Sequence, residues 1–367
     1  MKVSIGSRVV DGPWGGGNLF VKNLSNFLEK NGHRVIYDLA DSDIDLILLT
    51  DPRSRKESTS TYNHEDIYKY KKFVNKNVTV VQRINECDER KDTDYINEFY
   101  LEASKVAQKV VFVSSWLEGI YKKLGMPKEK TQVILSGSDS QIFNRQNSRP
   151  LIEGEKIRLL THHWSSNRNK GFDTYELINK LIDTKKWENK LDFTYIGNTS
   201  DNYDLSNTTI IEPLAGDELA KKIKEHHIYV TGSINEPSGN HHIEAAQCGL
   251  PILFINSGGI PEYCEGFGIG FDDNFEEKLE ELIYNYKDYK NKLNTYPFNS
   301  ELMCKEYLDL FTELLENNKI VNEKVNILNK YSFLIKQKFI KIVRDNLYFL
   351  IRKQISNIVK HSRSKNG

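Results

Sequence analysis

Short apolar β-type runs alternate with amphipathic segments through about the first 270 residues of this chain. Parallel strands are joined by crossover connections that are usually helices, so this alternation predicts parallel sheets with helices on both faces. The first series of predicted strands is Lys2–Gly6, Arg34–Asp38, Asp45–Leu49, Val78–Gln82, Val110–Val113 and Gln132–Leu135. The second series is Ile157–His162, Asp192–Ile196, Thr209–Ile211, Ile228–Thr231 and Ile252–Ile255.

The two series are separated by a polar stretch, Phe143–Glu155, which contains proline and glycine and is typical of a linker. A chain of 367 residues is about twice the usual length of a domain. We therefore predict an α/β protein of two doubly wound, Rossmann-like domains, residues 1–148 and 149–299, with a cleft between them. Ligands of such sheets bind at the carboxyl ends of the strands, so polar residues directly after a strand are the candidates for a site.

The composition is that of an ordinary globular protein and excludes several other classes. Hydrophobic residues make up 38% of the chain and charged residues 28%, which suffices for packed cores. The N-terminal segment is typical of a strand rather than a secretory signal, and no apolar run approaches the ~18 residues that cross a bilayer. The cysteines lie far apart without a CxxC motif, and adjacent histidines point in different directions. We therefore expect a cytoplasmic protein with neither a disulfide framework nor a bound metal.

Two stretches that follow predicted strands carry residue types that bind anions. The first contains three consecutive glycines, Gly15–Gly17, before a helix, and lets the backbone approach a phosphate closely. The second, THHWSSNRNKGF, presents Arg168 and Lys170, which suit a diphosphate as a bidentate fork and as a point charge. Each has an ordinary alternative, since glycine turns are often only flexible and basic loops are often only solvated.

The stretch EPSGNHHIEAAQCGLP, residues 236–251, places two glutamates eight positions apart. Glu236 lies on a loop stiffened by Pro237 after the strand Ile228–Thr231, and Glu244 lies about one turn into the following helix. A carboxylate in the second position suits a vicinal diol such as that of ribose, and the start of the helix favours a nearby phosphate. The alternative is an acidic loop followed by an ordinary amphipathic helix.

This stretch, together with GGIPE at residues 258–262, resembles the E-x7-E region of retaining glycosyltransferases of the GT-B fold, group 1 (family-four) type. Three further segments resemble the same family in order and spacing: GGGNLFVKNLSNFLEKNGHRV, SSWLEGIYKKLGMPKEKTQVILSGSDSQIF and KGFD. The resemblance covers about residues 1–318. It implies that a helix over residues 300–318 crosses back from the second domain to the first.

The resemblance implies an enzyme of class EC 2.4 that moves a hexose or N-acetylhexosamine from a nucleotide-sugar donor to a saccharide acceptor, with retention of the anomeric configuration. No cofactor or metal is implied. Lys170 would bind the diphosphate as it leaves, Glu236 the donor sugar and Glu244 the ribose diol. The other implied donor contacts are Gly16 and Gly17 from the N-terminal domain, and Pro237, Ser238, Gly239 and Asn240 from the C-terminal domain.

The sequence departs from the family pattern at two places. The family usually has Gly-Arg about six residues before the lysine, where this chain has HHWS, and Arg168 is the candidate for the missing charge. The loop after the fourth strand often carries a histidine in the family, whereas here residues 82–90 read QRINECDER. From this loop we expect acceptor contacts by Arg83, Asn85, Glu86 and Asp88.

The C-terminal tail is strongly basic. From Lys324 to Gly367 the sequence holds 11 basic side chains and one acid, whereas residues 1–323 hold 40 basic and 50 acidic ones. Residues 322–367 are predicted to form a basic amphipathic helix, because apolar residues recur there at helical spacing: Leu328, Tyr331, Ile335, Phe339, Ile342, Leu347, Leu350 and Ile358. Such a helix favours peripheral binding to the inner face of the cell membrane and a lipid-linked saccharide acceptor, as in surface-polysaccharide synthesis. Alternatively, it packs on the acidic body or associates with itself.

Two other functions stay open at this point. Sugar-nucleotide epimerases share the fold and need no acceptor, so donor turnover without an acceptor would favour them. An inactive, membrane-bound protein that binds a nucleotide sugar is also consistent with the missing arginine and histidine. We expect no nucleic-acid partner for any of these functions.

Overall fold

The structure is a computed structural model that describes residues 1–10, 15–53, 58–199, 202–318 and 325–344. Within these ranges the strands form two parallel sheets of six strands each, which confirms the predicted pair of doubly wound domains. The N-terminal sheet contains β1 (Lys2–Ile5), β2 (Arg34–Ile36), β3 (Leu46–Leu49), β4 (Thr79–Ile84), β5 (Lys109–Phe112) and β6 (Thr131–Val133). The C-terminal sheet contains β7 (Ile157–His163), β8 (Leu191–Gly197), β9 (Thr209–Ile211), β10 (Ile228–Thr231), β11 (Ile252–Ile255) and β12 (Gly268–Phe271).

The order of the strands places a switch point in each sheet. The N-terminal sheet has the order β2-β1-β3-β4-β5-β6, and the C-terminal sheet has the order β12-β11-β10-β7-β8-β9. The chain therefore leaves β1 and β7 in one direction and later returns to the opposite side of the same strand. Loops that follow strands on the two sides of such a point diverge and leave a crevice. In the C-terminal sheet these are the loops after β7 and β10.

Strand β12 is the one strand of the described residues that the sequence pattern does not predict. Its sequence, GIGF, contains two glycines, and glycine weakens a strand. The packing explains the first of them, because a Cβ atom at Gly268 would lie 1.9 Å from the carbonyl oxygen of Ile252. Strand β11 approaches so closely there that only glycine fits.

Helices cover both faces of each sheet. The α-helices are α1 (Gly16–Lys30), α2 (His64–Phe73), α3 (Asp88–Lys91), α4 (Ile96–Ala103), α5 (Ser115–Lys123), α6 (Phe172–Ile182), α7 (Gly216–Lys224), α8 (Asn240–Gln247), α9 (Ile260–Cys264), α10 (Phe275–Tyr284), α11 (Tyr286–Lys292) and α12 (Ser300–Glu316). Short 3₁₀ turns lie at Ser104–Val106, Lys128–Lys130, Arg168–Lys170 and Leu293–Thr295. In α1 the apolar residues Phe20, Leu24 and Leu28 recur at the 3.6-residue period of a helix, and all three are buried.

Helix α12 returns the chain to the N-terminal domain. It begins at Asn299, whose side-chain oxygen accepts the Leu302 N–H at 2.8 Å and caps the helix. Its buried residues Met303, Cys304, Tyr307, Leu310 and Phe311 belong to the core that surrounds β1. Upstream, residues 143–155, all of which the structure describes, contain no helix or strand, yet Phe143 is buried in the C-terminal core.

A further helix, residues 327–344, is called the tail helix below. One face packs on the N-terminal domain, where Phe333 and Leu334 join a core cluster and Lys341 Nζ lies 3.0 Å from Asp38 Oδ2. The predicted packing on the acidic body is therefore present. The opposite face is apolar and 48–80% exposed, and it consists of Ile327, Leu328, Tyr331, Ile335, Phe339, Ile342 and Val343. The remaining residues of the predicted apolar face, Leu347, Leu350 and Ile358, lie outside the described residues.

The cysteines are free and buried at Cys87, Cys248, Cys264 and Cys304. Burial raises the pKa of the Cys87 thiol to about 12, so it stays protonated and packs as a small apolar group. Among the helices in the described part of the chain, none has the length and apolar character needed to cross a membrane.

Candidate active site

The carboxyl ends of both sheets open into one cleft of about 570 Å³ between the domains. The C-terminal wall is formed by the loops after β7 and β10 and by the start of α8. The N-terminal wall is formed by the start of α1 and by the loop after β4. The residues predicted from sequence that line this cleft are Gly16, Gly17, Arg83, Asn85, Glu86, Lys170, Glu236, Ser238, Gly239, Asn240 and Glu244.

The GGIPE turn, residues 258–262, supports the backbone of Glu236 through a hydrogen bond and a close backbone contact. The Gly259 N–H donates to the Glu236 carbonyl oxygen at 2.9 Å. Gly258 has a φ of +67°, and a Cβ atom there would lie 2.5 Å from the same oxygen. No side chain fits at this place, so the two glycines of the motif are a packing requirement of the Glu236 loop.

The buried carboxylate of Glu236 contacts two cations that come from different domains. Lys170 Nζ donates to one carboxylate oxygen, and Arg90 Nε lies 3.1 Å from the other. Burial by itself would raise the pKa of Glu236, but Arg90 and Lys170 outweigh burial and hold the pKa below its ordinary value. Glu236 is therefore an anion and a hydrogen-bond acceptor at neutral pH, and it does not act as a proton donor.

Lys170 is positioned by a tight contact between the loops after β7 and β10. It ends the 3₁₀ turn Arg168–Lys170, and the next residue, Gly171, has a φ of +97°. A Cβ atom at Gly171 would lie 2.4 Å from the carbonyl carbon of Gly232. The Ile234 N–H also donates to the carbonyl oxygen of Asn169 at 2.8 Å. These backbone contacts join the two loops and direct the lysine toward Glu236.

Glu244 lies on α8 with its side chain in the same cleft, and only 5% of the residue is exposed. Its Oε2 atom lies 2.9 Å from Nε2 of His162, the second-last residue of β7. The turn into α8 is made by Gly239, whose φ is +79°. The contact with His162 fixes one carboxylate oxygen and orients the group at the start of the helix.

Three histidine rings pack beside these acids. The ring centroids of His163 and His241 are 4.6 Å apart, and those of His241 and His242 are 4.8 Å apart. Burial lowers the pKa of all three, to about 3 for His242, so the cluster is neutral at physiological pH. Within the described ranges, no group of three or more histidine, cysteine or acidic side chains is arranged to hold a metal ion.

The N-terminal wall begins with the glycines before α1. A Cβ atom at Gly16 would lie 3.2 Å from the side-chain oxygen of Asn240 across the cleft, whereas one at Gly17 would meet nothing within 4 Å. Farther along this wall, the buried guanidinium of Arg83 lies 4.1 Å from the ring centroid of Phe20. The wall therefore offers both an open backbone segment and a fixed cation.

The loop after β4 carries a second group of charges. Glu86 is buried, and its Oε1 atom accepts a hydrogen bond from Arg90 at 2.8 Å. Lys91 Nζ lies 3.6 Å from the other oxygen of Glu86. Asn85 is half-buried beside them and lines the cleft.

Three residues predicted for the site, each within the described ranges, do not line the cleft. Arg168 is exposed and lies 3.3 Å from Asp173, so it does not supply the missing charge at the diphosphate position. The Asp88 carboxylate accepts the Ile96 N–H at 2.8 Å and organises the loop backbone, and its contact with an acceptor stays a prediction. Pro237 stiffens the loop, and its carbonyl oxygen faces Gly259 rather than the cleft.

Among the cleft residues that were not predicted from sequence, Arg90 and His162 contact the two glutamates of the motif. Arg90 is part of the quoted loop QRINECDER, so its position after a strand was a usable signal. His162 lies at the end of β7, and its adjacent histidine obscured which of the two rings faces Glu244.

The GGIPE turn also joins the two domains. The carboxylate of Glu262 accepts the backbone N–H groups of Ser115 and Trp116 at 2.8 and 2.9 Å, which caps the start of α5 in the N-terminal domain. The hydroxyl oxygen of Tyr263 accepts the Ser136 N–H at 2.9 Å. One short segment thus supports Glu236 and fixes the opposite wall of the cleft.

Two parallel, doubly wound domains around a central cleft, with a terminal helix that returns to the first domain, define the GT-B fold. The chain is similar to sucrose-phosphate synthase from Thermosynechococcus elongatus, with a TM-score of 0.63, 14% identity and coverage of 86% of this chain and 99% of that one. It is also similar to Anabaena HepE in complex with UDP-glucose, with a TM-score of 0.61, 13% identity and coverage of 85% and 99%. For the lipopolysaccharide outer core galactosyltransferase WaaB the values are 0.59, 13%, 86% and 100%.

Residues 183–296 match the model of the family described as glycosyl transferases group 1. This segment includes the E-x7-E stretch and the GGIPE turn, so it confirms the resemblance inferred from those motifs. A curated relative is the gpi3 subunit of phosphatidylinositol N-acetylglucosaminyltransferase from Schizosaccharomyces pombe, 31% identical over 84 residues. That match covers 22% of this chain and 18% of the relative.

Proposed function

We propose that the chain is a glycosyltransferase that moves a hexose or N-acetylhexosamine from a nucleoside-diphosphate sugar to a saccharide acceptor. The observation that carries this proposal is the buried Glu236 carboxylate between Lys170 and Arg90, at the meeting point of the two domains. The family domain at residues 183–296 supports the reaction class, and the complex of Anabaena HepE with UDP-glucose supports the class of donor.

We place the donor on the C-terminal wall in the orientation that the positions of Lys170, Glu236 and Glu244 favour. Its ribose diol would lie against Glu244, whose carboxylate accepts hydrogen bonds from paired hydroxyls. Its diphosphate would take over part of the contact that Lys170 makes with the Glu236 carboxylate. The open backbone at Gly17 leaves space for the diphosphate on the opposite side. The sugar would then lie between Glu236 and the N-terminal wall, where the acceptor enters.

Transfer breaks the bond between the anomeric carbon and the diphosphate oxygen, and the electron pair stays on that oxygen. Lys170 stabilises the developing negative charge, because a preorganised cation in a partly buried site is worth more than one in water. The acceptor hydroxyl forms the new bond on the face that the diphosphate leaves, and its proton passes to the departing phosphate oxygen. The anomeric configuration is retained in this scheme.

Glu236 acts as an anion throughout this reaction. Arg90 and Lys170 keep its pKa low against the effect of burial, so it accepts hydrogen bonds from sugar hydroxyls and offsets positive charge near the anomeric carbon. A protonated acid at this position would provide neither effect.

The donor is tested first by a thermal-shift screen with UDP-, GDP-, ADP- and dTDP-sugars. A bound ligand stabilises the native state by about 2.7 kcal/mol at a concentration of 100 times Kd, so one base should give the largest shift. Incubation of that donor with saccharide acceptors, followed by NMR of the new anomeric proton, then tests transfer and retention. Turnover to an epimeric nucleotide sugar without acceptor would favour the epimerase, and binding without any turnover would favour the inactive protein.

Lys170→Ala should lower the transfer rate at least ~100-fold, because the leaving diphosphate loses its nearest cation. Lys69→Ala is the matched control, since Lys69 is an exposed lysine on α2 that contacts Glu65 at 3.7 Å. Equal rates for the two variants would contradict the proposed orientation of the donor.

We further propose that the tail helix binds an anionic membrane surface and brings the acceptor wall close to a lipid-linked saccharide. Its exposed apolar face includes Tyr331, Ile335 and Phe339, and the exposed lysines Lys336 and Lys338 lie beside that face. Apolar burial combined with flanking basic charge is the profile of a helix in the plane of an anionic lipid surface. A peripheral location on the inner face of the cell membrane and a role in surface-polysaccharide synthesis follow from this proposal.

The membrane proposal is tested by sedimentation with phosphatidylglycerol vesicles. Phe339→Asp should lower vesicle binding about tenfold, because an aromatic ring can no longer be buried. Asn329→Asp is the matched control, since it adds the same charge on an exposed residue outside the apolar face. Unchanged vesicle binding by Phe339→Asp would refute the proposal, and so would a dimer of the wild type that this variant dissociates. Point variants are preferable to deletion because Phe333 and Leu334 belong to the core.

A further inference from the structure

We propose that Arg90 is the second cation of the donor-diphosphate site and that the N-terminal domain thereby completes that site. This inference rests on the proposed function. It concerns a residue outside the group 1 segment, residues 183–296, in the opposite domain.

The C-terminal wall by itself directs one cation at the place where the diphosphate would bind. Lys170 contacts Glu236 there, whereas Arg168 points to solvent beside Asp173. A nucleoside-diphosphate sugar carries two phosphate charges, and one ammonium group neutralises half of them. A second cation from another part of the chain would neutralise the other half.

Several other basic side chains line the cleft, but their contacts hold them elsewhere. Arg53 is held by two hydrogen bonds to Asp51, and the Arg83 guanidinium lies 4.1 Å from the ring centroid of Phe20. Arg90 differs, because its Nε atom lies 3.1 Å from the same carboxylate that Lys170 contacts. The two cations thus converge on one anion-binding position, which Glu236 occupies in this structure.

The backbone of α3, which carries Arg90, is tied to the loops of the C-terminal wall. The Asn169 side-chain amide donates to the carbonyl oxygen of Arg90 at 3.1 Å. The Asn235 side-chain amide donates to the carbonyl oxygen of Glu89 at 3.1 Å, and Asn235 itself has a φ of +53°. Both amides belong to residues next to Lys170 and Glu236, so Arg90 reaches the site only when the domains are together.

This arrangement couples closure of the cleft to the charge of the donor. With the domains together, Lys170, Arg90 and Lys91 face the carboxylates of Glu236 and Glu86, which leaves a net single positive charge around the position of the diphosphate. When the bond to the sugar breaks, the electron pair that stays on the leaving oxygen meets a guanidinium as well as an ammonium group. A guanidinium binds phosphate oxygens through two parallel N–H donors, which a lysine does not offer.

The test measures affinity by titration calorimetry for UDP, GDP, ADP and dTDP and for the matching nucleosides. Arg90→Ala should weaken the affinity for the preferred diphosphate about 10- to 100-fold and leave the affinity for its nucleoside within about twofold. Arg90→Lys should recover part of the lost affinity, since lysine restores the positive charge but not the two parallel N–H donors of the guanidinium. Arg34→Ala is the control, because Arg34 is 68% exposed and pairs with Asp41 away from the cleft.

The outcomes separate this inference from the proposed function. Weakened diphosphate binding by Lys170→Ala but unchanged binding by Arg90→Ala would overturn the role of Arg90 alone. Unchanged binding by both variants, or no nucleotide binding by the wild type, would overturn the proposed function and this inference with it. A purely structural role would lower the melting temperature of Arg90→Ala and leave the ratio of diphosphate to nucleoside affinity unchanged, which would also overturn the proposal.

Discussion

The two walls of the cleft hold their functional side chains in different ways. On the C-terminal wall, Lys170 and Glu236 lie on loops that follow strands and are fixed by backbone contacts in which glycine is required. On the N-terminal wall, Glu86 and Arg90 are fixed by ion pairs between long side chains. The first kind of wall leaves a local pattern in the sequence, whereas the second depends on distant residues that meet only in the folded chain.

The comparison predicts a division of labour that kinetics can resolve. Changes on the C-terminal wall should affect the donor, either through its binding or through every reaction that it undergoes. Changes on the outer part of the N-terminal wall should affect only transfer to the acceptor.

Glu236→Gln should lower the transfer rate ~100-fold or more, because an amide removes the negative charge beside the anomeric carbon. Affinity for the nucleoside diphosphate should change little, since both cations remain in place. Rates and affinities are compared with those of Glu65→Gln, which alters an exposed glutamate on α2. Full transfer activity in Glu236→Gln would show that the C-terminal wall does not contain the reacting centre.

Gly258→Ala should destabilise the C-terminal domain by about 1–3 kcal/mol and reduce transfer, because the alanine adopts a left-handed backbone beneath Glu236. The control is Gly266→Ala, which has a similar φ of +84° but no atom within 4 Å of the added Cβ atom. Thermal unfolding of both variants separates backbone strain from overlap with the Glu236 loop. Similar melting temperatures and similar activities would mean that the GGIPE turn does not hold Glu236 in place.

Arg83→Met should raise the KM for the acceptor about tenfold and leave the affinity for the donor unchanged, because it removes a charged hydrogen-bond donor from the N-terminal wall. Methionine keeps apolar contact with Phe20, so the melting temperature should stay close to that of the wild type. A loss of donor affinity instead would mean that Arg83, like Arg90, contacts the donor. It would contradict the assignment of the outer part of the N-terminal wall to the acceptor.

Much of the fold can be predicted from the sequence because, as on the C-terminal wall, it depends on local patterns of neighbouring residues. Apolar runs and their spacing identify the strands. Strand β12 was not predicted because it contains glycines, which have low strand propensity but are required by the close contact with β11. The motif at residues 236–262 identifies Glu236 and Glu244, since their positions are set by neighbours in the chain.

The sequence did not identify the arginine that contacts Glu236: Arg168 was the candidate, whereas Arg90 lies there in the structure. Arg168 is two positions from Lys170, but a 3₁₀ turn separates their directions and leaves Arg168 in solvent. Arg90 is far away in the chain and reaches Glu236 from the other domain. The tail helix gives the same lesson, because Phe333 and Leu334 pack on the body while the predicted apolar face stays exposed.

As the pH falls, the C-terminal domain should lose more stability than the N-terminal domain. In the C-terminal domain, burial lowers the pKa of His226 and His227 to about 4, and that of His163, His241 and His242 also lies below the ordinary value. The unfolded chain takes up protons on these residues as the pH falls below ~6.5, whereas the folded domain resists until near pH 4, so stability is lost across that window. Glu236 does not contribute there, because its lowered pKa keeps it ionised.

Each such histidine should cost the C-terminal domain about 1 kcal/mol between pH 7 and pH 5.5. Hydrogen exchange at the two pH values should therefore show faster opening of β7–β11 than of β1–β5. His226→Gln should remove one histidine's share of that change, because glutamine can still bond the Lys222 carbonyl and the Thr194 hydroxyl without titrating. Equal acid sensitivity of both domains, unaltered by His226→Gln, would mean that the buried histidines do not set the difference between the two halves.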